Sequence, residues 1–123
     1  MSPADLSGQT VTQLVEQFRV LALAKSQAID EGNNAKYNRL YWELEAIEKA
    51  LKAREGDQRR ALVPLYDDPN PQVRLDAAMA TLVVFPIESR AALQMIIDRN
   101  EFPQAGDAGF TLLYLKEGRF TPE

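Results

Sequence analysis

The side chains able to do chemistry in this sequence form a restricted set. The chain contains no His and no Cys. The first absence removes the usual proton-transfer group near neutral pH and the commonest metal ligand. The second removes thiolate nucleophiles, disulfides and Cys-based zinc or iron–sulfur sites. Ser7, Ser26 and Ser89 therefore have no His to activate them, and neither a G-x-S-x-G elbow nor an S-x-x-K motif is present. Glu43, Glu45 and Glu48 lack the Glu-x-x-His partner of di-iron bundles. They read as a solvated face on which Glu45 supports Lys49 four residues on. The adjacent carboxylates Asp67 and Asp68 suggest a divalent cation, but a calcium loop needs further oxygen ligands and a Gly that Pro69-Asn70-Pro71 does not supply. No phosphate-cradling loop occurs. These residues assign no catalytic group, no metal site and no cofactor, so catalysis is not expected. The alternative, a small enzyme working through Asp, Glu, Tyr and Arg alone, needs a deep pocket lined by several of them.

The scaffold that must position these groups is a chain of 123 residues, 46% hydrophobic and 26% charged, with 6 Gly and 7 Pro. That composition suits one folded domain spanning 1–123 and excludes disordered and collagen-like classes. The net charge of −4 offers no general attraction to a phosphate backbone or an anionic membrane, so neither nucleic acid nor membrane is expected as a partner. The densest basic cluster, Arg59-Arg60 with Lys52 and Arg54 upstream, is interspersed with Glu55 and Asp57 and reads as a solvated helix end. No charged n-region followed by an apolar core opens the chain, and no apolar run nears the ~18 residues of a membrane span. A cytoplasmic location is the expectation.

Hydrophobic spacing is helical throughout. From Thr10, which with Gln13 forms a capping-box pattern, the stripe Val11, Leu14, Val15, Phe18, Leu21, Ala22, Ala28 and Ile29 predicts a helix ending at Gly32. Asn33 and Asn34 cap a second, with Tyr37, Leu40, Tyr41, Leu44, Ile47 and Leu51 inward and Gly56 as its stop. So short a link makes the pair, residues 10–55, an antiparallel hairpin. Asp57 opens a shorter helix to about Tyr66, bent at Pro64. After the Asp67–Pro71 turn, Asn70 and Pro71 start a helix whose span Val73–Phe85 is apolar on nearly every side, which predicts the most buried element. Ile87 to Arg99 forms a further helix with Ala91, Ala92, Leu93, Ile96 and Ile97 inward. A last one carries Phe110, Leu113, Tyr114 and Leu115. No period-two alternation marks a strand, so the fold class is all-α.

The segment Ala61–Ala78 resembles a HEAT repeat, in which a proline-bent helix, an Asp-Pro turn, a Val-Arg pair and small residues follow one another. Pro64, Asp68-Pro69, Val73-Arg74 and Ala77-Ala78 occupy those roles. The resemblance implies a right-handed α-α superhelix of about three antiparallel helix pairs, with 57–85 as one repeat and 86–118 as a second, partial one. In the partial repeat Gly109-Phe110 replaces the Val-Arg pair. The hairpin departs from the pattern, as a cap or a degenerate repeat. The whole chain is similar to small uncharacterised bacterial proteins of HEAT-like fold, a resemblance that brings no activity with it. Physically, Arg74 in a first helical turn calls for an acid beside it, and Asp68 is the expected partner.

Trp42 lies almost opposite the inward stripe of its helix, accompanied by Ala35, Ala46 and Ala53. Two readings stand open. Either Trp42 is sandwiched between the first helix and the Pro64 helix, or it anchors a self-association or partner surface, which Val20 and Leu23 extend. With chemistry scarce, the expected function is recognition of a partner protein by a rigid helical surface. A homodimer through the Trp42 face and an antidote-like protein that masks a toxin or enzyme are variants of that expectation.

Overall fold

In the computed structural model, which describes residues 5–123, the chain is all-α, and no strand occurs among the described residues. The elements are α1 (Val11–Asp30), α2 (Asn34–Ala53), a 3-10 helix (Gln58–Asp67), α3 (Pro71–Ala80), α4 (Pro86–Asp98) and α5 (Gln104–Glu117). They group into two compact units, Met1–Ala61 and Leu62–Glu123, so the junction falls inside the 3-10 helix.

The first unit is the α1–α2 hairpin. Its start follows from local chemistry: the Thr10 hydroxyl accepts from the Gln13 backbone N–H at 3.1 Å, and the Gln13 amide oxygen accepts from the Thr10 N–H at 2.9 Å. Gly32, at φ 66°, takes the left-handed conformation that turns the chain, and Asn33 then caps α2 by accepting from the Lys36 N–H at 3.0 Å. Leu14, Phe18, Ala22 and Ala28 of α1 and Leu40, Leu44, Ile47 and Leu51 of α2 are buried. Each large member contributes about 1.5–3 kcal/mol of apolar burial. Lys25, also buried, sits in the same α1 stripe, while Tyr41, expected inward, is 47% exposed.

In the second unit α3, α4 and α5 pack on one another around Leu75, Ala78, Leu82, Leu93, Ile96, Ala105 and Ala108. The expectation of α3 as the most buried element holds, since every residue from Gln72 to Ala78 is buried. Its cap is also as read: the Asn70 side chain accepts from the Gln72 and Val73 N–H groups at 2.8 and 3.2 Å, with Pro71 at the first position.

Further expectations are corrected. The Pro64 segment is a 3-10 helix. The helix α3 ends at Ala80, ahead of Phe85, because the buried Thr81 hydroxyl donates to the Ala77 carbonyl at 2.8 Å and competes with the helical ladder. On α4, Ala91 is exposed. On α5 the buried face is Ala105, Ala108 and Thr111, while Phe110, Leu113 and Tyr114 point outward at 60%, 44% and 37% exposure. Small residues let α5 approach its neighbours closely, and the large ones are left on the far side.

Candidate functional site

The outward side of α2 carries an ordered aromatic group. Trp42 is 65% exposed, so the sandwiched reading is set aside in favour of a surface position. At 100° per residue it lies ~180° from the centre of the buried α2 stripe. The Tyr41 ring meets the indole edge-on, with centroids 5.2 Å apart and planes at 89°. Beneath Tyr41 lies the Lys25 ammonium, 5.5 Å from that ring and 5.2 Å from the ring of Tyr37. Lys25 thus ties α1 to α2 and holds Tyr41, and Tyr41 in turn orients Trp42. Val20 is 53% exposed and Leu23 is half-buried. They lie ~140° and ~160° around α1 from its buried stripe and face away from the seam with α2. Trp42 faces away from that seam on the other helix, so helical geometry alone does not join Val20 and Leu23 to the Trp42 surface.

The residues on which the resemblance rests divide by burial. Pro64 and Pro69 are exposed, and Asp68, Val73, Arg74, Ala77 and Ala78 are buried. Arg74 does meet Asp68, but through the Asp68 backbone carbonyl, which accepts from Nε at 2.8 Å. Its paired carboxylate is Glu101, which accepts from Nη1 at 2.7 Å and from Nη2 at 2.6 Å. The hydrogen bonds of that fork lower the Glu101 pKa against the opposing effect of burial, and raise that of Arg74. Nothing in the spacing distinguished Glu101 beforehand, because it stands 27 residues away in the α4–α5 connection. Alongside, the Gln104 amide donates to the Gln72 side-chain oxygen at 3.0 Å, and the Gln72 amide donates to Asp76 Oδ1 at 3.1 Å. The first turns of α3 and α5 are thereby fastened together.

The basic cluster disperses. Arg59, expected to be solvated, is 3% exposed, with its guanidinium on Asp57 at 2.7 Å and Glu48 at 4.0 Å. The Arg59 hydrogen bond holds the Asp57 carboxyl below its usual value. Arg54 donates to the carbonyls of Leu6 and Gln9, and Arg60 remains exposed. On α2, Glu45 pairs with Lys49 at 3.2 Å as expected. Ser89 is buried and donates to the Pro86 carbonyl at 3.3 Å. A cleft of about 580 Å³ beside α1 is lined by Gly8, Gln9, Gln13, Glu16 and Gln17, one carboxylate among neutral groups. Among the described residues no three acidic side chains converge to hold a metal ion, and no helix is long and apolar enough to cross a membrane.

These features define a small all-α domain whose buried polar groups mostly fasten helices together. The chain belongs to the family described as a domain of unknown function, DUF2019, whose profile matches residues 12–116. It is similar to the protein RPA1889 from Rhodopseudomonas palustris CGA009: the two are 42% identical, with a TM-score of 0.95 over 98% of this chain and 99% of that one. No curated protein matches the chain significantly.

Proposed function

We propose that this domain is a non-enzymatic recognition module of the cytoplasm, and that it presents the Trp42 surface of α2 to a partner protein. One observation carries the reading: an indole 65% exposed to solvent yet oriented by Tyr41, which itself rests on a buried Lys25. A large apolar ring left in water costs free energy in the isolated chain and returns it when a partner covers it. An aromatic already held in place loses little rotamer freedom on binding. Trp and Tyr are the residues in which interface energy concentrates.

The local sequence of the 3-10 helix and α3, with its Asp68-Pro69 turn, inward Val73 and Arg74 and small Ala77-Ala78 pair, supports a HEAT-like reading in which helices stack through close contacts. The test is substitution of Trp42 by Ala, with partner retention and unfolding midpoint measured together. Loss of the partner at an unchanged midpoint supports the proposal. A large drop in midpoint with the partner retained would show that Trp42 serves the fold and would remove it.

A further inference from the structure

On the outward face of α2, helical geometry puts Ala35, Ala46, Arg39 and Glu43 on one side of Trp42, at ~20°, ~40°, ~60° and ~100° from it in the same sense. All four are exposed. Among the described residues Arg39 and Glu43 have no ion-pair partner, although they stand one turn apart, in the base-before-acid order that suits an intrahelical pair less well. Glu45 and Lys49, on the opposite edge, are already paired with each other at 3.2 Å and are not called on. Along the helix the midpoint between Arg39 and Glu43 is Tyr41. The midpoint between Ala35 and Ala46 falls half a residue before it, and Trp42 stands ~2 Å from both.

We infer that the partner seated on this surface is a second copy of the chain, in an antiparallel α2–α2 pair about a twofold axis at Tyr41; this takes the Trp42 surface as an interface, the reading proposed above. A twofold axis across antiparallel helices sets each edge against the same edge of the other copy and pairs residues equally far from the axis. Placed at Tyr41, it brings Arg39 of each copy to Glu43 of the other, two opposite-charge contacts between groups unpaired in the single chain. It also sets Ala35 of each copy beside Ala46 of the other, where small side chains let the two backbones approach. The two indoles then meet at the axis and give the contact its aromatic centre. A parallel pair would oppose Arg39 to Arg39 and Glu43 to Glu43. One positive and one negative charge placed evenly about the centre of a face complement that same face turned end for end, which is why the occupant is this chain itself.

The experiment is sedimentation velocity over a wide concentration range with the full chain, Trp42→Ala, Arg39→Glu, Glu43→Arg, an equimolar mixture of the last two, and Phe110→Ala as a control on α5, each confirmed folded by its helical circular dichroism. The wild type is expected to dimerise with rising concentration. Trp42→Ala weakens the dimer at least tenfold, the expectation for a central aromatic anchor. Arg39→Glu and Glu43→Arg each set like charges together twice per dimer and weaken it about tenfold. Mixing those two variants restores the association, because both contacts between unlike copies again join opposite charges while neither chain has changed. Phe110→Ala leaves the dimer constant unchanged. A wild type that keeps the mass of one chain at every concentration overturns the inference and leaves the Trp42 surface to a different protein, which the capture of partners by wild type and Trp42→Ala decides. A mixture that associates no more tightly than either variant alone also overturns it, as does a dimer kept by a folded Trp42→Ala or lost with Phe110→Ala. Should Trp42→Ala fail to fold, the mixture decides alone.

Discussion

Arg74 at the start of α3 and Glu101 before α5 face each other as a two-pronged pair, with N–O distances of 2.7 and 2.6 Å across 27 residues of sequence. The guanidinium side chain is 7% exposed and the carboxylate 21%. Removing one member leaves the other partly buried and unpaired, which costs more than the pair itself contributes.

Arg74→Ala is therefore expected to lower unfolding free energy by about 2–4 kcal/mol, below the ~3–5 for a fully buried pair because Glu101 is partly wet. Arg74→Lys keeps the charge and loses the fork, for an intermediate loss of about 1–2 kcal/mol. Urea denaturation at neutral pH measures both. Equal stabilities for the three proteins would contradict the assignment.

Acid should erode the fold through two carboxylates. The Arg74 hydrogen bonds lower the Glu101 pKa from 4.5, and the Arg59 hydrogen bond lowers that of Asp57 from 3.8. A carboxyl whose folded value lies below its unfolded one contributes stability above the unfolded value, and loses it as pH falls through the folded value. The loss thus lies below about pH 4.5, with a flat profile above it as far as these two groups are concerned. Denaturation midpoints measured at pH 7 and pH 3 should differ less in Glu101→Gln than in the wild type. An undiminished difference would assign the acid loss to other groups.

Close packing through small residues gives a third expectation. Ala78 is fully buried in the second unit's core, whereas Ala91 on α4 is exposed. Ala78→Leu should cost about 1–3 kcal/mol by overpacking, and Ala91→Leu should stay within about 0.5 kcal/mol of wild type. Similar effects at the two positions would mean that the helices do not approach through Ala78.

What could be read from the sequence follows the range of the interactions. The caps at Thr10, Asn33 and Asn70 are legible because each is set by residues two or three positions away. The apolar run into α3 marks the most buried helix, and helical periodicity puts Trp42 opposite its own stripe but leaves open whether another element covers it, which only the 65% exposure decides. Glu101 was not, since its partner lies far along the chain. The buried side of α5 was misread because large apolar residues mark a core by default. Here Ala105 and Ala108 are chosen for closeness, so Phe110 faces solvent. Arg59, which reads as a solvated terminus, is instead buried with its guanidinium on Asp57 two residues away and within 4.0 Å of Glu48 of the preceding helix.

The proposed role of this chain is contact through Trp42. Quantitative capture from the native cell extract, with wild type and Trp42→Ala side by side, tests it most directly. A protein retained by the wild type and lost from the variant, at equal unfolding midpoints, is the expected result. Equal retention by both would contradict it, as would capture of nothing while a metabolite raises the midpoint of the wild type.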